Sequence, residues 1–396
     1  MEPKIRFKGF EGEWKAPLFS EMVERISASG QAGMLPGVEF EDIASGEGCF
    51  NKNIYQKECH KYGKLFYEGD ILFGKLRPYL KNIILADFNG VAIGDFWVLR
   101  SRGLDEKYLY TLVNSESFLK VANISSGSKM PRADWNLVST TKFVVPSAKD
   151  EQKAIGKYFT SLDSQISAST SRLASLKQMK AASLQAMFPQ EGETVPKIRF
   201  KGFEGEWKKV KLNSFAKRVT RKNSHLESTL ALTIASAHGL VSQIDYFNNL
   251  VVGSNIRNYY LLKKGEFAYN KSYSNGYPFG SVKRLERYEQ GILSTLYITF
   301  SIDNSISSDY LTHFFDTNLW HKEVAERAAE GARNHGLLNI GANDFLDINI
   351  WKPESKAEQQ AIASYFTSLD RQISLQSQRL EKLKQIKSAS LDKMFV

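Results

Sequence analysis

Apolar residues recur at mixed spacings of three and four in two stretches: Leu162, Ile166, Leu173, Leu176 and Met187, then Leu369, Ile373, Leu380, Leu383 and Met394. Such spacing lines one side of a helix. Residues 151–188 and 358–395 are therefore predicted to be long helices, the first uninterrupted by Gly or Pro from Gly156 until Pro189. The stretches agree at 24 of 38 positions, so they are copies of one element. The stripe is broken at matching places, Ser169/Gln376, Lys180/Lys387 and Ser183/Ser390, where a heptad places apolar residues. A lone helix with such a seam is poorly stable in water. The simplest partner is the other copy, packed antiparallel as a coiled coil. Tyr158, Phe159, Met179 and Leu184, with Tyr365, Phe366, Ile386 and Leu391, lie partly off the seam and widen the stripe enough to cover a second neighbour. These eight are the candidate partner-binding residues. A core helix in an ordinary bundle is the plainer reading, but it does not explain the second copy.

A shorter repeat fixes the period. PKIRFKGFEGEWK at residues 3–15 returns unchanged at 196–208. The chain reads tag, insert, helix, twice over, with inserts 16–150 and 209–357 each of domain size. The inserts differ in sequence but share a skeleton. Gly69-Asp70-Ile71-Leu72-Phe73-Gly74-Lys75 parallels Gly265-Glu266-Phe267-Ala268-Tyr269-Asn270-Lys271, a turn and strand ending in lysine. Helical stretches follow from Tyr108 to Val121 and from Tyr310 to Val324. Ile93–Leu99 and Leu296–Phe300 read as strands, and each insert closes on a short strand before Pro146 or Pro353. Each insert is thus expected to be a mixed α+β globule. The helices would set the distance between them, and two divergent inserts on one frame suggest two related jobs on different targets.

Composition narrows the job. Apolar residues at 42% and charged residues at 24% are ordinary for a globular protein, but a net charge of +10 favours a polyanionic partner, nucleic acid ahead of membrane. Two cysteines, Cys49 and Cys59, without CxxC spacing argue against structural zinc and suit a reducing cytoplasm. Neither a signal peptide nor an apolar run of membrane-spanning length is expected.

The insert loops gather cationic, amide and aromatic groups. GKLRPYLKN supplies Lys75, Arg77, Tyr79, Lys81 and Asn82, and SGSKMPRADW supplies Lys129 and Arg132 near Trp135. The second insert supplies Lys271, Tyr273, Asn275, Tyr277, Lys283 and Arg284, then Arg333, Asn334 and His335 from EGARNHG. Lys and Arg neutralise phosphates, while Arg and Asn bond base edges, so these are the candidate DNA-binding residues. A phosphate loop, a GxGxxG fingerprint and the Pro-Pro-aromatic tetrapeptide of amino-methyltransferases are all missing. Glu13-Trp14-Lys15 and its copy belong to the frame and read as packing, and no catalytic or metal set emerges.

The chain resembles the specificity subunit of a type I restriction–modification system over essentially its whole length. The resemblance rests on GDILFGKLRPY at 69–79, Met130-Pro131-Arg132 with Trp135, and Glu151-Gln152 entering the helix after Pro146; the second half departs at Asn270-Lys271-Ser272 and Asn334-His335-Gly336. It implies an α+β chain with pseudo-two-fold organisation. Target-recognition domains at 1–150 and 189–357 would be separated by repeated helices at 151–188 and 358–396 packed as an antiparallel coiled coil. It also implies a non-catalytic, cytoplasmic role on a bipartite double-stranded DNA site, with one half-site per domain. Two adenine methyltransferase subunits binding S-adenosylmethionine, and ATP-dependent restriction endonuclease subunits, would be the partners. The alternatives are a self-contained restriction or modification enzyme with an unrecognised motif, and a coiled-coil protein with no nucleic-acid role.

Overall fold

The computed structural model describes residues 3–124, 130–236, 239–249, 255–328 and 338–395. Two compact units emerge, Met1–Ala174 with Leu375–Val396, and Ser175–Ser374. The long helices run Lys149–Ala186 and Lys356–Met394, so each unit holds part of both.

In the first unit an antiparallel sheet is ordered Val23–Ile26, Phe96–Ser101, Ile71–Gly74, Ile83–Leu85. The second unit repeats that order with Ala216–Arg218, Ile298–Ile302, Phe267–Asn270 and Ser281–Arg284. Both GDILFGK-like segments become strands, as the turn-and-strand pattern predicts, and each lies inside its sheet with a neighbour on both sides. The units differ in their additional strands. Among the described residues, the first carries another four-stranded sheet and one strand pair; the second carries three separate strand pairs.

Two sequence expectations are corrected. The run Ile93–Leu99 is not one strand: Gly90–Ala92 and Phe96–Ser101 lie in different sheets, and Gly94 at φ +96° turns the chain between them. The helix expected from Tyr108 to Val121 is two helices, Glu106–Val113 and Glu116–Ala122. Ser115 leaves the helical region and its hydroxyl accepts from the Phe118 N–H, which starts the second helix. Ser308–Phe314 and His321–Arg327 divide the matching stretch in the second unit.

The repeated tag locks onto the start of its helix. Arg6 donates to both oxygens of the buried Glu151 at 2.7 and 2.8 Å, and Arg199 does the same to Glu358 at 2.6 and 2.8 Å. Each arginine also bonds two carbonyls of its own tag, Glu11 and Gly12 or Glu204 and Gly205. The next residue, Gln152 or Gln359, donates to the Pro146 or Pro353 carbonyl and accepts from the Asp105 or Ser307 N–H. The Glu-Gln pair thus fixes helix, tag and domain together, using bidentate bonds that lysine would not make. Gly156 permits the close approach, because a Cβ there would lie 2.6 Å from the Tyr108 nitrogen.

The interruptions in the apolar stripe are the polar contacts between the long helices. In the first unit, Lys387 meets Asp163 at 2.6 Å, the Tyr158 and Ser390 hydroxyls lie 3.1 Å apart, and Gln376 donates to the Ser169 carbonyl at 3.2 Å. In the second, Lys180 meets Asp370 at 2.7 Å and Ser183 lies 2.9 Å from the Tyr365 hydroxyl. Around them, Ile155, Phe159 and Leu162 share the first core with Leu383, Leu391 and Met394, while Ile362 and Phe366 share the second with Met187 and Phe188. At about 1.5–3 kcal/mol per buried large apolar side chain, this packing dominates the seam and the polar pairs fix its register.

Removing one member of such a pair strands the other. Lys387→Met is expected to lower unfolding stability by about 3 kcal/mol in urea titration, and adding Asp163→Leu should return most of it. A loss below about 0.5 kcal/mol for Lys387→Met alone would show that the pair does not hold the seam.

Candidate nucleic-acid interface

Two sequence clusters that lie more than fifty residues apart become one loop structure in the first unit. After the strand Ile71–Gly74, Leu76 pairs antiparallel with Arg132. The Arg77 N–H donates to the Pro131 carbonyl at 2.8 Å, and the Ala133 N–H to the Lys75 carbonyl at 2.9 Å. Asp95 pins the crossing. It accepts from Arg132 at 3.0 Å and lies 3.3 Å from the Lys75 ammonium, while its carbonyl takes the Lys75 N–H. Burial pushes the Asp95 carboxyl up, but Arg132 and Lys75 outweigh it and hold the group below its ordinary value. Sequence reading missed Asp95 because it falls inside the stretch read as a strand.

Beyond this clamp the chain makes one 3-10 turn, Pro78–Leu80, flanked by Arg77 at φ +49° and Lys81 at φ +53°. Two non-glycine residues in the left-handed region cost about 1–3 kcal/mol each, so the turn is held there by its surroundings. Those holds are visible. The Leu80 N–H donates to Arg77, the Lys81 N–H to Pro78, and the Lys81 carbonyl accepts from Gly46 and Ile83. Buried Asn82 accepts from Ser45 at 2.7 Å, so its side chain braces the loop from inside and offers no surface to a ligand. Arg77 and Tyr79 stand exposed, and neither they nor Lys81 have a side-chain partner among the described residues.

The second unit builds the same crossing from different residues. The Leu338 N–H donates to the Lys271 carbonyl at 2.9 Å, as Ala133 does to Lys75, and the Lys271 ammonium lies 3.4 Å from the Ile340 carbonyl. The loop then turns tightly between Ser274 and Tyr277, with Gly276 at φ +80°. Ser274 is anchored at 3.1 Å to Ser236, which also bonds Ser281. Tyr273 and Asn275 are exposed and Tyr277 is half-buried. Lys129, Arg333, Asn334 and His335 lie outside the described residues.

Lys283 and Arg284 belong to the scaffold instead. Arg284 is bound by Asp309 at 2.7 Å and Glu286 at 2.9 Å. Lys283 lies 3.2 Å from Asp316, which Lys180 also meets at 2.8 Å. Burial pushes the Asp316 carboxyl up, but Lys283, His313 and Lys180 outweigh it and leave it far below the usual carboxylate range. His313, Asp316 and Asp370 come close enough to suggest a metal site. Two ammonium groups already occupy those carboxylates, so a divalent ion would add uncompensated charge to a buried cluster.

The candidate partner residues separate by burial. Phe159, Phe366 and Leu391 are core residues, because the helix ends enter the domain cores. Leu184 is half-buried against the second core; Tyr158 and Tyr365 are half-buried against tag residues Phe7 and Phe200. Met179 and its repeat counterpart Ile386 remain exposed, at 49% and 38%. No described helix is long and apolar enough to cross a membrane.

No family model matches the chain. A 120-residue stretch is 23% identical to the type I restriction enzyme EcoDI specificity subunit of Escherichia coli, covering 28% of this chain and 27% of that relative. The match thus spans about a quarter of the relative's length. The fold is similar to that of the type I restriction–modification system S subunit from M. genitalium, with a TM-score of 0.67 and 13% identity over 100% of this chain and 99% of that one. The HsdS subunit from Thermoanaerobacter tengcongensis aligns over 98% of each chain at a TM-score of 0.42 and 16% identity.

If the turn at Arg77 is strained, glycine relieves it. Arg77→Gly is expected to leave stability unchanged or raise it by up to about 1 kcal/mol, read as the urea midpoint at constant slope. A marked loss would assign the Arg77 side chain a structural duty.

Proposed function

We propose that the chain is the DNA-specificity subunit of a type I restriction–modification complex. It binds duplex DNA at a bipartite target, one half-site for each unit, and brings adenine methyltransferase and restriction endonuclease subunits to it. One observation carries the reading: both units present a loop at the same place on the same four-stranded sheet, held by the same lysine-carbonyl crossing but tipped with different side chains. Repetition of the scaffold with changed tips suits two related tasks on two sequences. The fold it shares with the S subunit from M. genitalium supports the same conclusion.

In this reading Arg77 in one loop, and Tyr273 and Asn275 in the other, meet base edges, while Lys81 meets phosphate. Lys75, Arg132 and Lys271 stand at the crossings and orient the tips. Lys129, Arg333, Asn334 and His335 are proposed DNA contacts from sequence. The subunit itself is non-catalytic, and S-adenosylmethionine and ATP act on the partner chains. Met179 and Ile386 mark the surface where two methyltransferase subunits dock.

Methylated adenines mapped genome-wide, with the gene present and deleted, test the whole reading. Arg77→Ala should relax one half-site by about 1–3 kcal/mol of discrimination and leave the other intact, and Asn275→Ala should do the reverse. Relaxation of both half-sites by one substitution would overturn the modular assignment. Met179→Asp combined with Ile386→Asp should abolish co-purification of the methyltransferase subunits without loss of fold, since both side chains are exposed. Retention of the partner would remove these residues from the docking surface.

A further inference from the structure

The strained turn forms one wall of a shallow cleft of about 370 Å³ in the first unit. Tyr79 and Lys81 line it from the loop. Glu116, Leu119, Lys120, Asn123 and Ile124 line it from the helix Glu116–Ala122 and the two residues after it. Lys120 and Asn123 are exposed, and Lys120 falls within the stretch that the sequence predicts to be helical. The side chains of Tyr79, Lys81, Lys120 and Asn123 make no hydrogen bond or ion pair among the described residues, even with Glu116 in the same cleft. Lys57, Lys61, Lys75, Arg100 and Arg132 of the same unit have carboxylate partners, so the cleft lysines differ from them in being open to an anionic ligand. A second cleft of about 350 Å³ in the same unit is lined by Glu68, Asp87 and Glu106 against the single cation Lys107. Of these two clefts, the first has the sign to accept an anion.

We infer that this cleft grips the DNA strand beside the bases read by the first unit, and that Lys120 is a positioning residue for that recognition. This rests on the DNA-binding reading above. Lys81 and Lys120 take backbone phosphate oxygens and Asn123 donates a further hydrogen bond. Tyr79 packs on the adjoining sugar, over a floor made by Leu119 and Ile124. The left-handed conformation of Lys81 has a purpose here: it carries the chain from the exposed turn into the strand Ile83–Leu85 while leaving its ammonium at the cleft. Phosphate contacts set register and orientation, whereas sequence is read by the neighbouring Arg77. Glu116 opposes the phosphate and limits the affinity of the cleft for any DNA, cognate or not.

The test is equilibrium binding of the full chain, purified with its methyltransferase subunits, to cognate and scrambled duplexes across a salt series. Lys120→Ala and Lys81→Ala should each reduce the slope of log affinity against log salt by about 0.9, with equal weakening on both duplexes. Glu116→Gln should strengthen binding to both. Arg77→Ala should reduce the preference for cognate over scrambled DNA. An unchanged slope in Lys120→Ala, with normal salt dependence in the wild-type complex, overturns the cleft assignment alone. Salt-independent binding, or none, by the wild-type complex overturns the DNA-binding reading itself. Loss of preference in Lys120→Ala without a change in slope would make it a base reader and also overturn the inference.

Discussion

A lysine that has to leave water at one point on each long helix sets the pairing on which the rest depends. Lys180 and Lys387 occupy equivalent repeat positions, as do Asp163 and Asp370. Parallel, in-register copies would set lysine beside lysine and aspartate beside aspartate. Antiparallel copies bring Lys387 to Asp163 and Lys180 to Asp370, and the tyrosine–serine contacts fall into register with them. Apolar residues drive the association but discriminate little between alignments. The charges supply that discrimination by making the wrong pairing repulsive.

The two halves do not satisfy this constraint equally. Asp370 belongs to a cluster with Lys180, Asp316, Lys283 and His313, which reaches from the helices to the strand Ser281–Arg284. Among the described residues, Asp163 has only Lys387 as an ion-pair partner. Burial raises the Asp163 carboxyl above its ordinary value and Lys387 only partly offsets this, whereas the cations around Asp316 win. The signs for stability are opposite. Asp316 stabilises the fold above the ordinary carboxylate range, and that contribution is lost as pH falls through its depressed value. Asp163 favours its protonated form in the fold, so its contribution is lost as pH rises through its elevated value. The helix seam in the first unit is therefore the one that acid treats more gently.

Much of this frame was legible in the sequence because it is repeated. A 207-residue offset relates the helices, and matched interruptions in their stripes mark contacts before any partner is known. Two strands were legible from short apolar runs behind Gly69 and Gly265, though not their inner place in the sheets. Charge partners were not. Lys283 and Arg284 look like free cations in a window of sequence, yet besides the nearby Glu286 they meet Asp309 on the helix 308–314 and Asp316 just after it. Asp95 was hidden for a related reason: Gly94 ends one strand and starts another, and a run with a single glycine reads as continuous. Phe159 and Phe366 look like spare stripe residues until the domain core that receives them is in place.

The division of labour within each loop explains how one frame serves different tips. Lys75, Asp95, Arg132 and Asn82 are all committed to contacts within the chain, so changing them disturbs the crossing. Arg77 and Tyr79 lack such contacts among the described residues, and Tyr273 and Asn275 are exposed beyond the equivalent crossing at Lys271. The two halves agree in the lysine that sits at the crossing and differ in what lies past it. Substitution at the tips therefore alters what the loop presents without removing a contact that holds it. The strained turn follows the same logic. Its conformation is imposed by backbone bonds, the Gly46 and Ile83 N–H groups donating to the Lys81 carbonyl and the Arg77 N–H to the Pro131 carbonyl, so the side chain at position 77 is free to answer to a ligand.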